Sequence, residues 1–251
     1  MLDHKGVLIT RAVSQAEPMA RAVRAAGGRP VLLPAIRIEP IETASASGPA
    51  DWVIFISPNA VEYGLSHVRE VVASGAQVAA VGPSTARALS AAGLAQPLRA
   101  REGFDSESLL ALPVFRQCAG SNITIVRGVG GRPLLIDSLR DRGAKVTVLE
   151  VYRRDRPTLR IEQVQYLESQ WAAGGVAVTT CLSVATLDNL MTLLTTRAQR
   201  LFMATPLLSP SPRVLERATE LGHTGAQQLA RGPRVEDLVA ELIDMAAQGT
   251  I

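Results

Sequence analysis

Two similar α/β domains, each a doubly wound parallel sheet and the first flavodoxin-like, joined by a two-strand hinge, are what this 251-residue sequence predicts. Three features lead there. Short β-branched or aliphatic runs alternate with apolar stripes at helical spacing, across turns rich in Gly, Pro, Ser, Thr and Asn, which is the pattern of a parallel sheet flanked by helices. Residues 7–37 slide by 116 positions onto 123–153 with seven identities, among them Ile9/Ile125, Arg11/Arg127, Gly27/Gly143 and Leu33/Leu149. In both copies the closing extended run passes beyond a sheet: the first is interrupted by Pro34 and ended by Pro40, the second ends in Arg153-Arg154-Asp155-Arg156-Pro157. Both runs read as crossings, so the expected division is a discontinuous domain, 1–36 plus 154–251, around an inserted domain, 37–153.

In chain order, residues 7–10 read as a buried strand, and Ser14 with Glu17 has the spacing of a capping box for the helix that stops at Gly27-Gly28. Residues 52–56 form the next strand, followed by Ser57-Pro58-Asn59 and a helix from about Ala60. Residues 78–81 lead through Gly82-Pro83-Ser84-Thr85 into a helix ending at Gly93. A short extended piece lies near Pro97, and Asp105 caps a helix bearing Leu109 and Leu110. Strand 123–126 runs into Arg127-Gly128-Val129-Gly130-Gly131-Arg132, with Pro133 suited to a first helical position. Residues 145–152 are extended. Beyond the second crossing come a helix over 161–171, strand 176–180, a helix starting near Ser183, strand 207–208, the turn Ser209-Pro210-Ser211-Pro212, and a helix to Gly222. Val235, Leu238, Val239, Leu242 and Ile243 then stand on one face of a final helix.

Composition excludes several function classes. With 47% hydrophobic and 20% charged residues the chain has a core to bury, and Cys118 and Cys181 form neither a disulfide framework nor a thiolate zinc site. The opening Met1-Leu2-Asp3-His4-Lys5 lacks the basic head and apolar stretch of a secretory signal, and no apolar run reaches about 18 residues, so a cytoplasmic protein without a membrane span is expected. Aromatics make up 4% of the chain and are not interleaved with basic runs, which argues against nucleic acid. The 24 arginines against two lysines reflect either a coding bias or a use for planar, two-toothed carboxylate recognition.

The chemical motifs are mostly eliminated. Gly128-Val129-Gly130-Gly131 spaces its glycines wrongly for a dinucleotide loop, and no Gly-Lys-Ser/Thr phosphate loop occurs. His4, His67 and His223 are scattered, which leaves neither a metal pair nor a Ser–His relay. Cys181 follows a strand end and reads either as a reactive thiol or as a packed, inert one. What remains is a set of hydroxyls, backbone amides and arginines at strand ends facing a cleft, able to hold a polyanion and impose a conformation on it.

The motifs Val-Leu-Ile-Thr-Arg11, Trp52-Val-Ile-Phe-Ile-Ser-Pro-Asn-Ala-Val61, Val81-Gly-Pro-Ser-Thr-Ala-Arg87, Gly103-Phe-Asp-Ser-Glu107, Ile125-Val-Arg-Gly-Val-Gly-Gly-Arg132 and Val148-Leu-Glu-Val-Tyr-Arg153, in this order and spacing, resemble uroporphyrinogen-III synthase over essentially the whole chain. The resemblance implies two α/β domains joined by a two-strand ladder, no cofactor, no metal, and a monomer. It implies a linear tetrapyrrole substrate, hydroxymethylbilane, supplied by hydroxymethylbilane synthase and cyclised with loss of water and inversion of ring D through a spiro intermediate.

The resemblance also implies roles for individual residues. Tyr152 lies in the family's Val-Tyr segment and would assist hydroxyl departure, or else packs as an ordinary strand aromatic. Thr85 matches a turn threonine near substrate, with Ser57, Asn59 and Ser84 in the same position; each is otherwise a helix-start residue. Arg11, Arg127, Arg132 and Arg153 would meet carboxylates, while Gly128, Gly130 and Gly131 would let backbone amides approach one. In the second half, Thr180, Ser183 and Ser211 could donate hydroxyls, although Thr179-Thr180-Cys181-Leu182-Ser183 lacks the expected glycine and Pro212 has no amide hydrogen. Two rivals stay open: a two-domain nucleotide-sugar transferase, which should show a clearer diphosphate loop, and a hinge-closing small-anion binding protein, which should carry an export signal.

Overall fold

The computed structural model describes residues 1–251 except Ala95 and Phe104, and of Ser14 the backbone only. The elements in order are β1 (Gly6–Ile9), α1 (Val13–Ala25), β2 (Arg29–Leu32), β3 (Arg37–Pro40), β4 (Trp52–Phe55), α2 (Pro58–Gly64), a 3-10 turn (Leu65–Val68), α3 (Arg69–Ala73), β5 (Gln77–Ala80), α4 (Pro83–Ala91), α5 (Ser106–Leu110), α6 (Pro113–Arg116), β6 (Asn122–Gly128) and α7 (Leu134–Asp141). There follow β7 (Lys145–Asp155), α8 (Ile161–Ala172), β8 (Val178–Thr180), α9 (Val184–Leu193), α10 (Thr196–Ala204), β9 (Leu207–Ser209), α11 (Pro212–Glu220), β10 (Gln227–Leu229) and α12 (Val235–Ala247). The chain divides into two compact units, unit 1 of Met1–Arg37 and Asp155–Ile251 and unit 2 of Ile38–Arg154.

Unit 1 holds a five-stranded sheet in the order β10-β9-β8-β1-β2, and the β2-β1, β1-β8, β8-β9 and β9-β10 pairs are parallel. Counted in its own strands this is 2-1-3-4-5, the flavodoxin-like order. Alternation along each strand sends Leu8 and Leu207 to one face, where they meet Leu187, Phe202 and Val214. Val7, Ile9, Val178 and Leu208 go to the other, against Met19, Val23, Leu238 and Leu242. Both faces are therefore covered by helices, as a parallel sheet requires.

Unit 2 holds the order β3-β7-β6-β4-β5, with β7-β6, β6-β4 and β4-β5 parallel. Val53, Phe55, Val126 and Leu149 pack to one side, and Ile54, Ala79, Ile123 and Ile125 to the other with Leu109, Phe115 and Leu139.

The echo in the sequence is a structural repeat. β1 pairs with β2 from Gly6↔Arg29, and β6 pairs with β7 from Asn122↔Lys145, the same register displaced by 116 positions. The turn between them repeats as well: Gly27 and Gly143 have φ of 82° and 83°, and the Gly28 and Ala144 amides bond back to Val23 and Leu139. Register then matches β4 to β8 and β5 to β9. Ser57 and Ser183 each cap the following helix by accepting the amide three residues on, and Pro83 and Pro212 each open one. Each unit thus combines a β-α-β segment from one half of the chain with strands from the other.

Several elements differ from the sequence reading. Helix α1 starts at Val13 with Ala12 as N-cap; the Ser14 side chain lies outside the described residues, as does Phe104 of the Gly103–Glu107 motif. Pro133 is the N-cap of α7 and Leu134 its first residue. The extended piece near Pro97 is a single parallel bridge, Ala79↔Leu98.

Candidate active site

In parallel sheets ligands meet the carboxyl ends of the strands, where helix N-termini expose backbone amides. The carboxyl edge of unit 2 carries Ser57 after β4, Ser84 and Thr85 after β5, and the Arg127–Arg132 stretch that closes β6 and follows it, with Tyr152 late in β7. The strongest contact among them joins Tyr152 to Ser57: the phenol oxygen lies 3.0 Å from Ser57 Oγ. Ser57 Oγ also accepts the Ala60 amide at 3.1 Å, which makes it the N-cap of α2. Arg154 donates to the phenol oxygen at 3.2 Å.

Tyr152 itself is 1% exposed, with Tyr63 at 6.1 Å between ring centroids. Gly128 makes room for it: a Cβ there would stand 2.5 Å from the Tyr152 ring. This explains a glycine with no need for a left-handed backbone. Gly130 and Gly131, with φ of 75° and 88°, are turn glycines instead, and a Cβ on Gly131 would touch Arg127 at 3.0 Å.

The four arginines singled out occupy different situations. Arg127 is buried, donates Nε to the Gly128 carbonyl at 3.0 Å and lies 3.8 Å from Glu150, so it closes its own loop. Arg132 pairs with Glu107 at 2.6 Å largely in water, where such pairs contribute little, and Arg153 pairs at 3.0 Å with Glu39, whose side chain is mostly buried. Arg11 meets no carboxylate among the described residues: Nη2 reaches the Pro233 carbonyl at 3.4 Å, Nε is buried without a partner, and burial holds the guanidinium below its usual range.

Among the hydroxyls, Thr85 is 2% exposed and Ser84 exposed; the N-cap of α4 is Gly82, so neither caps that helix. Asn59 is buried in the first turn of α2. In unit 1, Thr180 is 1% exposed and donates to the Leu8 carbonyl at 2.9 Å, Ser183 caps α9, and the Ser211 amide bonds Ser209 Oγ at 3.1 Å. Cys181 is fully buried beside Thr10, and desolvation pushes its thiol up to about 12, so it is the packed, inert cysteine. Among the described residues no group of three or more His, Cys, Asp and Glu could hold a metal, and no helix is long and apolar enough to cross a membrane. Arg154 was not among the residues singled out. Only its place two positions from Tyr152 on one strand, hence on the same face, could have signalled it.

A family model for uroporphyrinogen-III synthase HemD matches residues 17–240. The chain is 30% identical over 158 residues to uroporphyrinogen-III synthase of Escherichia coli K12, covering 59% of this chain and 64% of that protein. To the Synechococcus elongatus enzyme of the same name it is 32% identical over 167 residues, covering 61% and 62%. These matches thus span less than two thirds of either relative's length. Among solved structures, uroporphyrinogen-III synthetase from Helicobacter pylori 26695 aligns with a TM-score of 0.64 at 12% identity, covering 98% of this chain and 99% of that one. A mutant uroporphyrinogen III synthase from the extremely thermophilic bacterium Thermus thermophilus aligns at 0.56 and 19%, with coverage of 98% and 99%. Both share the α/β fold with parallel sheets. With a family match over most of its length, the chain belongs to the uroporphyrinogen-III synthase HemD family.

Proposed function

We propose that this protein is a uroporphyrinogen-III synthase: it removes water from hydroxymethylbilane and closes the macrocycle with ring D inverted through a spiro intermediate. Family membership supports the reading, and the observation that carries it is the Tyr152 phenol hydrogen-bonded to Ser57 at the carboxyl edge of unit 2, in a space that Gly128 leaves open.

The electron-rich pyrrole itself drives departure of the hydroxyl, so the protein need supply only a proton and tolerate a cationic intermediate. A phenol and a serine hydroxyl in contact can provide the proton at neutral pH. The larger task is geometric, because the activated bilane left to itself closes to the symmetric isomer I. Holding ring D so that its substituted carbon attacks is worth on the order of 7–11 kcal/mol when the positioning is complete.

The substrate's eight carboxylates need cationic and amide partners. Arg11, whose charge no carboxylate balances among the described residues, is the first choice. The first turns of α1, α4, α9 and α11 contain no acidic residue, which leaves their N-terminal fields suited to anions. In this reading the protein works as a cytoplasmic monomer without a cofactor, on substrate released by hydroxymethylbilane synthase.

Supplying the bilane to purified protein and separating the product isomers tests the proposal. Isomer III is expected, with a KM that rises as salt screens the carboxylate contacts. Isomer I alone, formed at the rate seen in buffer, would overturn it.

A further inference from the structure

β7 closes with Tyr152, Arg153 and Arg154, and the outer two meet. Arg154 Nη2 lies 3.2 Å from the Tyr152 phenol oxygen, and its guanidinium carbon 5.6 Å from the ring centroid. On the other side Ser57 Oγ stands 3.0 Å from the same oxygen, already accepting the Ala60 amide at 3.1 Å.

Donor and acceptor capacities order the protons in this chain. A guanidinium has donors only, so Arg154 takes a lone pair of the phenol oxygen. The phenol hydrogen then needs an acceptor of its own, because Tyr152 is 1% exposed and a buried O–H left unmatched is costly. Among the described residues Ser57 Oγ is that acceptor. Ser57 therefore receives two hydrogen bonds, from Ala60 and from Tyr152, and its own hydrogen points away from both. Ser57 is only partly buried, which leaves this hydrogen free to reach a substrate oxygen at the carboxyl edge.

We propose that Arg154 is a positioning residue that fixes this order, and that Ser57, not Tyr152, is the group that touches the departing hydroxyl. The inference rests on the synthase reading above. As the substrate C–O bond breaks, its electron pair leaves on oxygen; Ser57 gives that oxygen a proton, water departs, and Ser57 takes the phenol proton. The phenolate remains beside the Arg154 charge. When the attacking pyrrole regains aromaticity it loses a proton, which returns through Ser57 to the phenolate, so water is the only by-product. Tyr152 thus acts as the reservoir and Ser57 as the contact.

The test is a cycle of Arg154→Met and Tyr152→Phe, singly and together, with kcat and KM for isomer III separated. Arg154→Met is expected to lower kcat at least fivefold, to leave KM within twofold, and to add no further loss once Tyr152→Phe is present. Arg154→Gln, which can still donate but carries no charge, should fall between. An unchanged kcat in Arg154→Met overturns the role, as does a rise in KM that persists in the Tyr152→Phe background, since that marks direct contact with a substrate carboxylate. For Ser57, both Ser57→Ala and Ser57→Asp, which keeps a capping oxygen, should be at least as slow as Tyr152→Phe; wild-type kcat in either removes it from the reaction. Failure of the synthase reading is distinct, because the wild-type protein would then yield no isomer III.

Discussion

Where unit 2 sets Val53, Ile54, Phe55 and Val126 in the middle of its sheet, unit 1 sets Thr179, Thr180, Cys181 and Thr10 at the positions of matching register. All eight are buried. In unit 1 the hydroxyls serve the sheet itself: Thr10 donates to the Thr180 carbonyl at 2.7 Å and Thr180 to the Leu8 carbonyl at 2.9 Å. In unit 2 those four positions are apolar, and a phenol near the carboxyl edge sends its hydrogen bonds to a partly buried serine. One backbone plan can therefore turn its polar atoms inward, as stitching, or toward the edge, as chemistry. Residue type alone does not say which.

The sharpest way to break the contrast is at Gly128. The position 116 residues earlier is Ala12, which is buried with its Cβ in place, and the position 116 before Tyr152 is Ile36. Gly128→Ala drives a methyl into the Tyr152 ring, and the overpacking should cost about 1–3 kcal/mol in chemical denaturation and reduce activity on the order of 100-fold. Adding Tyr152→Ile, which removes the ring the methyl would meet and places at both positions the residues that stand 116 earlier, should restore stability while leaving the protein slow. Full activity in Gly128→Ala would mean that the ring position is unimportant.

Thr179 offers a change of opposite sign. Its Oγ1 is buried with no hydrogen-bond partner among the described residues, whereas Val53 at the matching position of unit 2 has no such atom to satisfy. Thr179→Val should raise stability by about 1 kcal/mol, read as a shift in denaturation midpoint without a change in slope. A loss of stability would show that the hydroxyl has a role in unit 1 beyond filling space.

The smallest expected effect concerns pH. His223 of unit 1 is buried against Phe202 with Nε2 3.0 Å from the Thr205 carbonyl, and burial lowers its pKa below the ordinary value. The unfolded chain then binds the proton more readily than the folded one. Its contribution is complete above about pH 6.5, the unfolded value, and is lost as pH falls through the lower folded one. Hydrogen exchange should show α10 and α11 loosening between pH 7 and pH 5, and less so in His223→Gln. Equal loosening in that variant would assign the effect elsewhere.

Much of this architecture was legible in the residues. The alternation of apolar runs and turn residues yields the α/β class, and Asp105, Ser57 and Ser183 stand at helix starts where local hydrogen bonding puts them. What escaped reading is what only tertiary pairing creates. β10 is Gln227-Gln228-Leu229, without any apolar period, and is a strand only because β9 presents an open edge. α10, over Thr196–Ala204, was hidden by polar and arginine residues on its outer face, with Phe202 and Ala198 buried. At the site, the motifs located Tyr152 and Ser57 separately, but their contact joins residues 95 apart in the chain. The arginines were least legible: composition cannot distinguish Arg127, folded back into its loop, from Arg11, which meets no carboxylate among the described residues.

Side-by-side turnover of Tyr152→Phe and Thr180→Val tests directly that chemistry resides at the edge of unit 2 and that the buried hydroxyls of unit 1 hold the sheet. Tyr152→Phe should slow formation of isomer III on the order of 100-fold with a melting temperature within a few degrees of wild type, and Thr180→Val should keep kcat within about twofold. The reverse pattern, a fast Tyr152→Phe and a slow Thr180→Val, would contradict the account.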